Sequence, residues 1–577
     1  MAKLELIVRY EGDLSKAEQL GEVEITTLLG GYALLTLEEE QAADVLSCPC
    51  IIYAELPTRV FFSVEEGKAA SCIYNRPSAP EGMASSLSGN GVLLAVIDSG
   101  IDYAHPDFRK EDGTTRIAAL WDQTLSSGTP PEGYHTGSLY TEEDINQALL
   151  ERRPENRRSI VPSTDLSGHG THVAGIAAGN GRASSGRYRG VAYESTLLVV
   201  KLAAGNVSDA YGTARMMEAV DFCIRYAIER DLPIVINLSF GNNYGAHNGK
   251  SLLETYLDTV IPYTRCSLCI GTGNEGGGRR HAGGVLREEN TETVELAVAG
   301  RERAIYLQLW KNYTDRFAVE IQMPSGDSFR FSYEEGEAMT SFGSGLLFTG
   351  RGRTIRYGSA ELEVLWSLPT PYQDLSVVQV AIEAVSSQDG MGELSQGIWK
   401  INLLPEEILE GTYDIWILQG TESSQSGFVR PVQERTLTIP STTDRCIAVG
   451  AYDTRKDSLA PFSGRGYPRG TGSVKPDLVA PGVDIMSCAP GGGYAVKTGT
   501  SMATPFVSGS AALLMEWGIV RGNDRYLYGE KLTTYLQRGA GRSSSLEFPV
   551  AQGNPRLGFP NPAAGYGALC LNSSIPG

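Results

Sequence analysis

The chain has 577 residues, 41% of them hydrophobic, which is enough to bury a large core and to form more than one domain. Its formal net charge of −19 argues against nucleic acid as a partner, because phosphate binding needs clustered Lys and Arg. The 67 glycines carry no collagen-like period, and no uncharged apolar run is long enough to span a bilayer.

Residues 1–65 read as a unit of their own. Leu4 to Tyr10 and Tyr32 to Leu37 have strand character. Glu38-Glu39-Glu40 opens a helix through Leu46 with acidic residues at the favourable dipole end, and Ile51 to Phe62 returns as a strand. Charge interrupts the opening Met1-Ala2-Lys3-Leu4-Glu5 too early for a secretory signal, so a cytoplasmic start is expected. The nine cysteines, an odd number and mostly isolated, predict reduced thiols and no disulfide framework.

Leu93-Leu94-Ala95-Val96-Ile97-Asp98 is an apolar run too short for a helix, followed by Ser99-Gly100. It predicts a buried parallel strand that delivers Asp98 at its C-terminal end, where open α/β sheets place their sites. Further on, Thr141 is a plausible N-cap for a helix, and the arginines from Arg152 to Arg158 read as a solvated face. Gly168-His169-Gly170-Thr171-His172 then opens a helix of small residues that can pack closely, with His169 the candidate base and His172 structural.

Two more apolar strands follow. Val235 to Leu238 leads into Ser239-Phe240-Gly241, and Cys266 to Gly271 leads into Thr272-Gly273-Asn274. The Cys266–Cys269 spacing is that of half a zinc site, but it lies within a strand, and buried packing is the expectation. From 282 to 436 the pattern changes to short alternating strands, such as Val294, Leu296 and Val298, which predict an inserted β-sandwich. Its tryptophans, among them Trp310, Trp366 and Trp416, suit a core as well as they suit a sugar platform. Strand character resumes at Cys446 to Ala451 and Lys475 to Gly482.

Gly499-Thr500-Ser501-Met502-Ala503-Thr504-Pro505 then reads as a serine placed at a helix start, with Pro505 in the first turn. A serine hydroxyl is a weak nucleophile that needs a neighbouring base and donors for the developing oxyanion. Asp98, His169 and Ser501 supply the acid, base and nucleophile for such chemistry.

In this order, Asp98, His169, Asn274 and Ser501 with their flanking motifs resemble the subtilisin family of serine proteases. The resemblance implies a parallel sheet with helices on both faces, an N-terminal α+β propeptide, and an inserted β-sandwich or jelly roll. The expected domains are 1–65, 66–281, 282–436 and 437–577, the second and fourth forming one catalytic unit. It implies a triad of Asp98, His169 and Ser501, an oxyanion hole of Asn274 and the Ser501 N–H, and a cleft lined by Ser239, Phe240 and Gly241. The propeptide, insert and C-terminal Gly565-Tyr566-Gly567 together are similar to the clostridial germination proteases of the Csp type. That likeness implies self-cleavage between Phe62 and Ala70, a propeptide that stays bound, and a protein substrate such as the proform of a spore cortex hydrolase. It also implies a spore-associated or cytoplasmic location.

Asp107 matches a position that often holds Ca²⁺ in the family, but the partner loop carries Arg182, Arg187 and Arg189. No metal and no cofactor are expected, with Asp107 capping or pairing instead. Three other readings stand beside the leading one: a general intracellular protease, a catalytically silent binding or signalling protein of the same fold, and a β-sandwich that is itself the functional module.

Overall fold

The strand Leu93–Asp98 is buried along its whole length, and its side chains divide between two cores. Leu94 and Val96 join residues of the helices His169–Ala178 and Thr500–Met515. Leu93, Ala95 and Ile97 join residues of the helices Gly212–Glu229 and Leu252–Val260. Strand side chains alternate across a sheet, so this division places helices on both faces.

The computed structural model describes residues 3–38, 41–55, 71–72, 86–202, 212–341, 348–385, 392–418, 425–547 and 557–576. Its central sheet runs in the order Ser458–Leu459, Ile447–Asp453, Cys266–Gly271, Ile234–Leu238, Leu93–Asp98, Thr196–Lys201, Ile117–Asp122, Ser138–Thr141. Leu478–Pro481 pairs beside Ile447–Asp453. The inner pairings are parallel, and those at the two ends are antiparallel. This is the α/β architecture expected. Thr141 caps the helix Glu142–Leu150 in a reciprocal pair with Asp144.

At the N-terminus a four-stranded antiparallel sheet runs Val23–Leu28, Tyr32–Glu38, Lys3–Tyr10, Ile51–Glu55. The helix is Ala42–Leu46, and the expected strand is described only to Glu55. This sheet packs Ile7, Leu28, Tyr32 and Leu34 onto the helices Gly212–Glu229 and Leu252–Val260. Polar contacts at the same face are directional. Asp221 accepts from the Leu29 N–H at 2.9 Å, and Glu55 accepts from the Leu252 N–H at 3.1 Å, at a helix start. Arg215 donates to Glu5 at 2.8 Å and to Glu218 at 2.6 Å.

Two antiparallel sheets of seven and five strands lie between His281 and Phe428. Their facing sides share one core, to which Leu296, Leu307, Val319 and Trp366 belong. Trp310, Trp366 and Trp416 are all buried, so none of the three offers an exposed platform. The sandwich is fastened to the catalytic side by Trp416, which stacks on His247 at 4.2 Å and on His281 at 4.8 Å. Beside this stack Asp414 meets His281, Arg435 and Arg469 at 2.9, 2.7 and 3.0 Å. Burial alone raises the Asp414 carboxyl, but the hydrogen bond from His281 and the two guanidinium charges hold it below the ordinary carboxylate range.

The cysteines depart from expectation. Disulfides join Cys48 to Cys50 and Cys72 to Cys570, while Cys223, Cys266, Cys269, Cys446 and Cys488 are free and buried. Cys72 and Cys570 are 498 residues apart with Cα atoms 4.7 Å apart, a proximity that only the fold creates. The inference from cysteine count to a reducing compartment therefore does not hold. Among the described residues, no helix is long and apolar enough to cross a membrane.

Glu5 is 3% exposed, and burial pushes its carboxyl from 4.5 up to about 7 against the opposing charge of Arg215. A carboxyl raised in this way favours docking fully below its free value. The contribution is lost as pH rises through the docked value, because the folded state must then hold a buried anion. Glu5→Gln, always neutral, is expected to gain stability over the parent chain between about pH 5 and pH 8, reaching up to about 3 kcal/mol. Urea unfolding across that range checks this, and a difference independent of pH would contradict it.

Candidate active site

Asp98 ends its strand fully buried, and its Oδ1 accepts the His169 Nδ1–H at 2.7 Å and the Ser99 N–H at 2.7 Å. His169 is the first residue of its helix, and the residue before it, Gly168, has no side chain and sits at φ 66°. The first-turn N–H groups must find acceptors elsewhere. Asp165 provides them: its Oδ1 accepts from the Gly168 N–H at 2.9 Å and the Ser99 hydroxyl at 2.8 Å. Its Oδ2 accepts from the Thr171 N–H at 2.8 Å and the Thr171 hydroxyl at 2.7 Å. Ser99 Oγ in turn accepts from the Gly170 N–H at 2.9 Å. Asp165 was not anticipated. Its signal is a carboxylate just ahead of a helix whose N-cap cannot cap itself.

The helix also lies very close to the strand end. A Cβ on Gly170 would stand 2.1 Å from the Gly100 carbonyl oxygen and 3.0 Å from Asp98 Cβ. Any side chain there would push the imidazole away from its carboxylate. His172, one turn on, reaches the carbonyl oxygens of Ile485 and Ala495 at 2.9 and 3.0 Å, and burial lowers it to about 3. It is neutral and structural, as expected.

Ser501 is the second residue of the helix Thr500–Met515. Gly499 before it has φ 148°, a conformation other residues rarely adopt, and a Cβ there would stand 3.3 Å from Asn274 Nδ2. Pro505 does not fall in the first turn as the sequence suggested, because the helix begins at Thr500 and places it in the second. Proline supplies no N–H to the carbonyl four residues back, which is that of Ser501. The Ser239 hydroxyl donates to that freed carbonyl at 3.3 Å. The Ser501 hydroxyl in return donates to the Ser239 carbonyl at 3.2 Å. The proline thus couples the serine helix to the strand end beside it.

Asn274 follows the strand Cys266–Gly271, and its Oδ1 accepts the Thr500 N–H at 3.0 Å and the Thr500 hydroxyl at 3.2 Å. With its oxygen committed there, the amide's remaining capacity is its NH₂ group, a donor. Phe240 is buried with its ring 6.1 Å from that of His169. Asp98, His169, Ser501, Asn274, Ser239 and Phe240 therefore converge on one place.

Cys266 and Cys269 are buried strand residues, and burial raises both thiols. Among the described residues, one group of potential metal ligands lies together: His105, Asp107 and Cys488. Its atoms are committed to protein. Asp107 accepts from the Ala183 N–H and the Tyr494 hydroxyl, each at 2.8 Å, and Cys488 Sγ lies 3.4 Å away. His105 Nδ1 accepts from the Asp107 N–H at 3.1 Å, and its Nε2 meets the Gly493 carbonyl oxygen at 2.9 Å. The donor set does not fit the oxygen-rich shell that Ca²⁺ requires.

Comparison with known proteins gives matches along most of the chain. The Subtilase family model matches residues 89–295 and 424–543, and the Csp protease B prodomain model matches residues 1–58. The PII-type proteinase of Lactococcus lactis subsp. cremoris is 25% identical over 484 residues, covering 78% of this chain and 24% of that one. The major intracellular serine protease of Bacillus subtilis is 30% identical over 225 residues, or 39% of this chain and 53% of that one. The chain thus spans about a quarter and about half of the length of these two curated relatives. The structure of the Clostridium perfringens CspB protease aligns with a TM-score of 0.73 at 34% identity, covering 87% of this chain and 95% of that one.

Two substitutions test how the imidazole is held. Asp165→Ala is expected to cost about 1–2 kcal/mol of stability, as for a lost helix cap. Gly170→Ala is expected to cost more, because the carbonyl it meets is backbone. Chemical denaturation measures both, and a Gly170→Ala chain as stable as its parent would contradict the close approach described.

Proposed function

The chain belongs to the subtilase family, and on that footing we propose that it is a serine endopeptidase whose triad is Asp98, His169 and Ser501. The observation that carries this reading is the 2.7 Å hydrogen bond from His169 Nδ1 to Asp98, at a site where the first turn of the helix that holds Ser501 is bonded to Asn274. With Nδ1–H held by the carboxylate, Nε2 is left as the basic nitrogen. It removes the Ser501 proton as Oγ attacks the scissile carbonyl carbon. Asp98 stabilises the resulting imidazolium.

The negative charge that develops on the carbonyl oxygen falls between the Asn274 NH₂ and the Ser501 N–H, a first-turn donor without an intrahelical acceptor. Losing one such donor costs about 10²–10³ in kcat, a magnitude known from a subtilisin. His169 then protonates the leaving amine, and a water molecule activated by the same nitrogen clears the acyl-enzyme.

Self-cleavage is part of the proposal. Residues 1–58 match the Csp prodomain model, and the N-terminal sheet docks on the helices Gly212–Glu229 and Leu252–Val260. The cleavage window, Phe62 to Ala70, lies outside the described residues. The substrate this reading favours is a protein activated by limited proteolysis, such as the proform of a spore cortex hydrolase. Support for it is the likeness to the CspB protease over 95% of that chain. The N-terminal unit is then the first partner of the active site, retained after the cut through its buried contacts.

A fluorophosphonate probe with mass spectrometry of the intact protein tests both parts. The expected result is labelling that Ser501→Ala abolishes. An N-terminal fragment ending between Phe62 and Ala70 should accompany it, and the same substitution should remove that fragment. An unlabelled parent chain would favour a silent protein of the same fold.

A further inference from the structure

Where the three folded parts meet they enclose a cavity of about 500 Å³, the size of a small-molecule site. Asp98, His169, Asn274 and Ser501 do not line it. The strand Ile51–Glu55 of the N-terminal unit contributes Tyr53 and Glu55, the catalytic unit contributes Tyr244, and the β-sandwich contributes Trp310 and Ser367. Two cations also reach the cavity, and both are engaged elsewhere. Lys250 pairs with Asp374 at 2.8 Å, and Arg351 donates to the carbonyl oxygens of Gly336 and Glu334 at 2.9 and 3.3 Å. Glu55 is different. Its Oε1 accepts the Leu252 N–H at 3.1 Å, but among the described residues it forms no ion pair. Burial pushes its carboxyl from 4.5 up to about 8 against that hydrogen bond, and the neighbouring Glu254 adds to the rise.

Ser367 supplies a second observation. It is 9% exposed, and its Oγ has no hydrogen-bond partner among the described residues. A hydroxyl taken out of water normally finds one. A buried acid without a counter-ion and a buried hydroxyl without a partner thus line one cavity whose walls carry three aromatic side chains. We propose that this cavity binds a small organic ammonium ion, an amine on an apolar body, with Glu55 as its counter-ion. The ammonium charge favours the ionised carboxyl, which releases its proton to solvent as the ligand enters. Tyr53, Tyr244 and Trp310 receive the apolar body, and their rings attract the cation. Ser367 Oγ is an acceptor for a polar N–H or O–H of the ligand. The other titratable groups near Glu55 are Glu254 and Tyr53. Burial lifts Glu254 to about 6 against hydrogen bonds from Thr442 and Ser251, and burial raises the Tyr53 phenol. Because the walls belong to all three parts, an occupied site also ties them together. The site stands whether or not the chain is an endopeptidase.

Titration calorimetry of the full chain with phenethylamine, its neutral counterpart 2-phenylethanol and the anion 3-phenylpropanoate tests the site. At pH 8 the amine is expected to bind about tenfold tighter than the alcohol, and the carboxylate more weakly than either. Between pH 6 and pH 8 affinity for the amine is expected to rise about tenfold, because binding expels the Glu55 proton, while affinity for the alcohol stays flat. Buffers of different ionisation enthalpy should reveal that proton. Glu55→Gln keeps the shape without the charge, and is expected to bring the amine down to the affinity of the alcohol. Glu55→Asp, which keeps the charge, is expected to recover part of the preference. Should Glu55→Gln fail to fold, the proton release and pH dependence of the parent chain still decide. Equal binding of amine and alcohol, no proton release by the parent chain, or unchanged amine affinity in a folded Glu55→Gln chain would overturn the proposal. Tightest binding of the carboxylate would overturn it too, and would assign the site's charge to Lys250 and Arg351.

Discussion

A carboxylate orients an imidazole only at hydrogen-bond distance, and here that distance is set by backbone packing. The helix His169–Ala178 rests against the end of the strand Leu93–Asp98 at Gly170, where a single added carbon would collide with the Gly100 carbonyl. Asp165 and Ser99 then take up the N–H groups that this close approach leaves at the helix start. Acid, helix and cap form one rigid assembly, and the imidazole's position follows from it. The serine helix is tied in by the same kind of constraint, since Pro505 frees a carbonyl that Ser239 then occupies. Backbone and short side chains set these contacts, which is what preorganised chemistry requires.

The other folded parts act on this frame from two sides. The N-terminal sheet covers the helices Gly212–Glu229 and Leu252–Val260 with apolar side chains and the carboxylates of Glu5 and Glu55. The β-sandwich leaves the frame after the strand that leads to Asn274 and returns through Thr438 to Cys446. The His247, Trp416 and His281 stack holds its base. An insertion at this point leaves the central strands in register, and its returning segment bonds by backbone to Asn242 and Thr272, close in sequence to Ser239 and Asn274. The disulfide between Cys72 and Cys570 joins the chain beyond the N-terminal unit to the C-terminal region. A cut before Cys72 would leave that new terminus tethered.

Much of this was legible in the chain because it is local. Asp98 closes an apolar run, His169 sits among residues small enough for close packing, and Ser501 precedes a helical pattern. The alternation from Val294 to Val298 reports strands. What was not legible depends on contacts between distant segments or on backbone alone. Asp165 binds main-chain N–H groups and hydroxyls gathered from two segments, which no local pattern announces. Pro505 was misplaced because the helix starts one residue before the serine, and helix ends are the least certain feature of a sequence reading. The Cys72–Cys570 pair has no spacing signal at all. Val23–Leu28 has an irregular apolar pattern that Glu24, Thr26 and Thr27 interrupt.

The most direct test of the account is a crystal structure of the full chain after reaction with a small fluorophosphonate. Its central claim predicts phosphorus bonded to Ser501 Oγ, with the phosphoryl oxygen accepting from Asn274 Nδ2 and the Ser501 N–H. The Asp98–His169 hydrogen bond should be retained. An adduct on another residue, or a phosphoryl oxygen turned away from Asn274 with His169 displaced from Asp98, would contradict it.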